Sequence, residues 1–238
     1  KATHGEGFIR GFFNVIKSAT TGTGAALERL FITGVSPVTM DDVTSGFNIG
    51  TNITNDSWFN DLVGFSENEL REMLEYYKEQ GVLQESIDEI VAMMKPNYDN
   101  YCFSEDTLEQ CMFNSDMALY FLKSFVLHHK KPKEIVDPNI RTDFNKLAYL
   151  IKLDHGLGEN FSVIKEIAEQ GEIITDIVTH FSALEMTDPS NFKSLLFYFG
   201  LLSIKGVDMV GRPILHVPNL VVREQLFNFL IQGYIKHD

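Results

Sequence analysis

The chain has 238 residues and a mass of 27.0 kDa, enough for one large domain or two ordinary ones without disulfide or metal staples. Hydrophobic residues at 44% and charged residues at 22% exclude wholesale disorder. Twenty Lys+Arg against 33 Asp+Glu leave a net charge of −13, which argues against an indiscriminate phosphate binder while leaving room for a local basic patch.

Phe8, Ile9, Phe12, Phe13 and Ile16 recur at helical spacing, so residues 7–18 read as an amphipathic helix. The run TTGTGAA at 20–26 breaks it. RLFITGV at 29–35 is short, apolar and rich in branched residues, and Ser36-Pro37 ends it. It reads as a strand buried on both faces, whose partner strands are missing from the sequence. Residues 38–63 are polar and loop-like. Ser66 with Glu69 forms a capping box, and Leu70, Met73, Leu74 and Tyr77 stripe one helix face until Gly81. Ile87, Ile90, Val91 and Met94 repeat the pattern, with Pro96 expected to close it.

After the turn-like NYDNYCFSED, Asn114 or Ser115 caps a helix to about Leu127, and further helices are expected near 143–152 and 160–169. The acid-rich stretch from Glu85 to Asp116 reads as a solvated face, with a cation or protein site as the alternative. Asp188 or Thr187 with Pro189 starts a helix that Gly200 ends. LLSI and PILHV flank KGVDMVGR as a hairpin, and Asn219 caps a final helix. Helix, hairpin, helix is the outline of a winged-helix module.

Self-contained catalytic motifs are missing. GEGFIRG and TGTGAA lack the lysine and hydroxyl of a P-loop, and neither follows a strand and opens a helix as the dinucleotide fingerprint does. No H-E-x-x-H or G-x-S-x-G occurs, and the adjacent His128 and His129 point about 100° apart on a helix. With Lys130, Lys131 and Lys133 they form a basic cluster suited to a helix C-terminus, or else to a nucleic acid or partner domain. Cys102 and Cys111 fit no C-x-x-C or zinc spacing and read as structural or incidental thiols in a reducing, cytoplasmic setting. No apolar run reaches the roughly 20 residues of a membrane span, and the N-terminus is not a signal peptide. The chain starts at Lys1, and a piece of a longer protein is expected.

The block ALERLFITGVSPVTMDDVTSGFNIGTNIT at 26–54 resembles the predicted AAA-ATPase-like family of bacteria. YDNYCFS at 98–104, FNSDMALYFL at 113–122, DPNIRTDFNKL at 137–147, NFKSLLFYFGLLSI and VPNLVVREQL extend the resemblance over nearly the whole chain. It implies a fold that is mainly α with minor β: the rear part of an α/β P-loop ATPase core (1–63), a helical lid (64–152) and a winged-helix-like region (153–238). It also implies a parent that binds ATP with magnesium and is nuclease-linked. Its Walker A loop and acidic strand would lie upstream of residue 1, and a PD-(D/E)XK nuclease-like domain would follow residue 238. Those missing parts are then the expected partners. A homo-oligomer and DNA are further candidates, and no membrane partner is expected.

Within that resemblance Thr33 would face the γ-phosphate or the attacking water as a sensor, or else simply pack in the strand. Ser36, Asp41, Asp42, Ser45 and Asn48 would follow the strand's C-terminal end, where open α/β sheets bind ligands. Arg29 and Arg10 would complete the nucleotide site or form surface ion pairs, and Arg141 and Asp143 would fix a domain junction. Without the phosphate loop and a magnesium-holding acid, the chain alone is expected to be inactive and to hold no cofactor or metal. The rival reading is a non-enzymatic helical and winged-helix module that binds DNA or protein. Whether Lys193, Lys205, Arg212 and Arg223 gather on one face separates those two partners.

Overall fold

The structure, a computed structural model, describes residues 8–34, 50–136, 159–179, 181, 185–186 and 188–235. Among them the chain is mainly helical, with seven helices and one three-stranded antiparallel sheet. The first helix, α1 (Phe8–Thr20), ends in a turn where Gly22 and Gly24 take positive φ, so TGTGAA is turn chemistry.

The core strand expected at 29–35 does not form over its described residues. Residues 29–34 have no regular structure, and Leu30, Phe31 (66% exposed) and Ile32 face solvent. A strand buried on both faces needs neighbours, whereas the three strands of the sheet pair with one another. The reading of 1–63 as the rear of an ATPase core is therefore left without its expected strand over residues 29–34. The helix expected near 143–152, with Arg141 and Asp143, lies outside the described residues.

The first core is helical. In α2 (Glu67–Glu79) the capping box forms in both directions: Ser66 Oγ accepts from Glu69 N–H, and the Glu69 carboxylate accepts from Ser66 N–H at 2.8 Å. Leu70 and Leu74 are fully buried, each worth roughly 2 kcal/mol of transfer free energy. The next helix, α3 (Ile87–Tyr98), runs past Pro96 instead of stopping there. The proline sits in the last turn, and Tyr98 beyond it is buried, donates to Ile135 O and packs edge-on against Phe121. Asn114 caps α4 (Ser115–His128) by accepting from Met117 N–H, and His129 closes it in the left-handed region. Met117, Ala118, Phe121, Leu122 and Phe125 line the face of α4 turned to α2 and α3.

The second core is mixed. It is built from α5 (Glu159–Gln170), β1 (Glu172–Ile174), α6 (Pro189–Tyr198), β2 (Ser203–Val207), β3 (Pro213–His216) and α7 (Leu220–Ile235). The sheet order is β1-β3-β2, with Ile173 opposite Leu215 and Leu215 opposite Ile204. The strand β1 was not expected from the sequence. Asp188 caps α6 with Pro189 in its first turn, and Asn219 Oδ1 accepts from Val222 N–H at the start of α7.

Candidate functional site

The β2–β3 hairpin projects its turn into solvent, and one carboxylate shapes that turn. Asp208 accepts from the backbone N–H of Val210 and Arg212 at 2.9 and 2.8 Å, while its own N–H donates to Arg212 O. Gly211 takes φ +82, as a left-handed turn position requires. The backbone bond from Arg212, then its guanidinium and the Val210 N–H, hold the Asp208 carboxyl below its ordinary range. The apex is apolar: Met209 is fully exposed and Val210 is 76% exposed, with Val207 beside them. Large apolar groups displayed on a fixed turn are the informative kind of exposure, and methionine adapts to irregular partner surfaces.

Of the four basic residues that would carry a nucleic-acid face, three are engaged within the chain. Lys205 pairs with Glu172 on β1, and Arg212 with Asp208 at 2.8 Å. The Arg223 guanidinium sits 5.9 Å from the Phe227 ring centre. Lys193 is half-buried on α6, whose Asn191, Phe192, Ser194, Leu195, Leu196 and Phe197 are buried. Burial holds His216 on β3 below the ordinary histidine range, and Lys205 adds to this. Its imidazole is therefore neutral at pH 7 and adds no positive charge.

Behind the hairpin lies the seam between the two cores, built from residues 99–104 of the aromatic turn. Cys102 N–H donates to Ser203 Oγ at 2.7 Å, and Ile204 N–H donates to Cys102 O. Asn100 and Asn219 cross over, donating to Pro218 O and Asp99 O at 3.0 and 3.1 Å. Asn60, 2% exposed, joins the seam by accepting from Phe103 N–H and donating to Gln110 O. Nothing in the local sequence around Asn60 signals this, because both partners lie more than forty residues away. A cavity of about 390 Å³ opens beside the seam among Pro96, Gly171, Pro218, Asn219 and Arg223.

The residues proposed for nucleotide chemistry do not assemble into a site over the described residues. Arg29 and Thr33 are exposed on the irregular stretch, so Thr33 does not stand at a strand end. Ser36, Asp41, Asp42, Ser45 and Asn48 lie outside the described residues, as does the Arg10 side chain. A nucleotide polyphosphate needs a run of backbone amides with a lysine, and neither Arg29 nor Thr33 belongs to such a cradle. Of the proposed set, Arg29 and Thr33 alone have side chains among the described residues. Among them no group of three or more His, Cys, Asp and Glu side chains could hold a metal ion, and no helix is long and apolar enough to cross a membrane. His128 and His129 stand at the end of α4, where His129 Nδ1 lies 3.4 Å from Glu85 Oε1. The chain matches no family model, no curated protein and no solved structure.

Proposed function

We propose that this chain is a non-catalytic helical and winged-helix-like module of an ATPase-like protein, and that it works by docking protein through its hairpin tip. The apolar apex of Met209 and Val210 on an Asp208-braced turn carries the reading. The order helix, strand, helix, hairpin and the strand order β1-β3-β2 support a winged-helix-like arrangement for 153–238. The internal pairing of Lys205 and Arg212 supports protein over DNA as partner, since phosphate binding depends on uncompensated cations. The resemblance at 26–54 supports, as that partner, an ATPase half of the same protein. ATP and magnesium belong to that half.

Mixing the chain with the separately produced ATPase half, followed by calorimetry, tests this. Met209→Asp is expected to weaken binding at least tenfold, about 1.4 kcal/mol, while leaving the melting temperature unchanged, because the side chain touches solvent alone. A labelled 20-base-pair duplex is expected to show no saturable anisotropy change at 0.15 M salt. Duplex binding below about 10 μM, or indifference to Met209→Asp, overturns the reading.

A further inference from the structure

We propose that Cys102 and Cys111 form a redox pair, closed by a small-molecule disulfide into an intramolecular cross-strand bridge. The isolated bridge between Tyr101 and Met112, continued by one residue, sets them opposite each other. Tyr101 and Met112 exchange both backbone hydrogen bonds, at 3.1 and 2.8 Å, as an antiparallel bridge. One step along that ladder is 102 opposite 111. Such a step is a non-hydrogen-bonded pair, with Cα atoms about 4.5 Å apart, inside the roughly 4.4–6.8 Å that a disulfide spans. One step further, the Asn60 carboxamide links Phe103 N–H to Gln110 O, so the two segments stay together beyond the cysteines.

The thiols meet the same surroundings. Cys102 belongs to the second core and Cys111 packs against its rim, as two side chains on one face of a ladder do. Both are free thiols, and each donates only weak bonds to carbonyls of the turn they enclose: Cys102 to Ser104 O at 3.1 Å, Cys111 to Leu108 O at 3.5 Å. These are lost at little cost when hydrogen gives way to sulfur. Burial pushes the Cys111 thiol up to about 11; neighbouring Cys102 and Asp99 add to this and Lys95 opposes it. Burial raises the Cys102 thiol as well, opposed by its bonds to Ser104 and Thr107, so both thiols are protonated at neutral pH and closure is slow there.

The exchange balances in two steps. Cys111, half-buried and within reach of solvent, loses its proton to solvent and attacks one sulfur of glutathione disulfide, expelling a glutathione thiolate. Cys102, 1% exposed, then loses its proton and attacks Cys111 Sγ. The bridge forms and a second glutathione thiolate leaves, both thiolates taking up the released protons. Two protein thiols are oxidised and one small disulfide is reduced. The closed turn is the one that holds Ser203 and Ile204 of β2, so oxidation tightens the seam.

The folded chain is incubated with glutathione disulfide at pH 8.5, quenched in acid, unfolded and treated with iodoacetamide, then weighed intact and as peptides. The expected product has lost two hydrogens, takes up no iodoacetamide and yields a linked 102–111 fragment. It also melts about 5 °C or more above the reduced chain, a gain that dithiothreitol reverses. Cys111→Ser is expected to fold and leave Cys102 unmodified. Alkylation of both thiols, a persistent glutathione adduct on Cys111, or a bridge between two chains overturns the proposal.

Discussion

Asn60 shows how one side chain substitutes for a missing rung of backbone pairing. Its carboxamide supplies both a donor and an acceptor where the 103 and 110 backbones stop bonding each other directly. Asn60→Ala removes both bonds and leaves Phe103 N–H and Gln110 C=O without them, at about 1–3 kcal/mol per stranded group. A loss of about 2–3 kcal/mol in urea unfolding is expected. Asn60→Asp replaces the donor with a second acceptor facing Gln110 O and is expected to recover little. A change under about 0.5 kcal/mol for either variant would show that solvent satisfies these groups. The sequence places Asn60 in a polar loop, and its partners become visible only once residues 103–110 fold back beside it.

The end of α3 is where one helix meets both cores, and Asp99 caps it. Its N–H donates to Lys95 O and its carboxylate accepts from Asn100 N–H. Burial, the main cause, lifts its carboxyl above the ordinary range, opposed by the Asn100 bond and Lys95. A group whose folded pKa is raised contributes its stability at low pH and loses it as pH rises through the folded value. Asp99→Asn keeps the acceptor and removes the charge. Its urea midpoint is expected to exceed that of wild type at pH 7, and the gap is expected to close near pH 4. A gap that widens on acidification would assign Asp99 to a favourable ion pair with Lys95. Helix starts such as Ser66–Glu69, Asp188–Pro189 and Asn219 were legible in the sequence because capping is local chemistry. β1 was not, since three residues carry little pattern and their pairing with 214–216 spans some forty positions. RLFITGV misled for the complementary reason: its composition suits burial, but burial needs neighbours. At the candidate site, the basic residues could be named from the sequence, whereas the pairing of Lys205 with Glu172 could not.

Over the whole chain the two cores interlock. Residues 99–104 leave α3 in the first core and bring Cys102 into the second, while Val221 of α7 returns to the first. Neither core can open without dragging on the other, so scanning calorimetry is expected to show one cooperative transition over these regions. Two resolved peaks would mean that the seam is weaker than its hydrogen bonds suggest. Calorimetry is the suitable probe, because the single tryptophan, Trp58, is almost fully exposed and reports little of either core. The same seam governs the margins of the sheet. β2 turns the outer N–H of Ile204 to Cys102 O, so the chain itself covers the start of that side, and the opposite margin is β1, three residues long. A foreign strand finds only short margins to extend among the described residues. Crowding the chain at high concentration therefore gives little template for fibril growth, while any cut that frees 99–104 lays β2 bare and removes that protection.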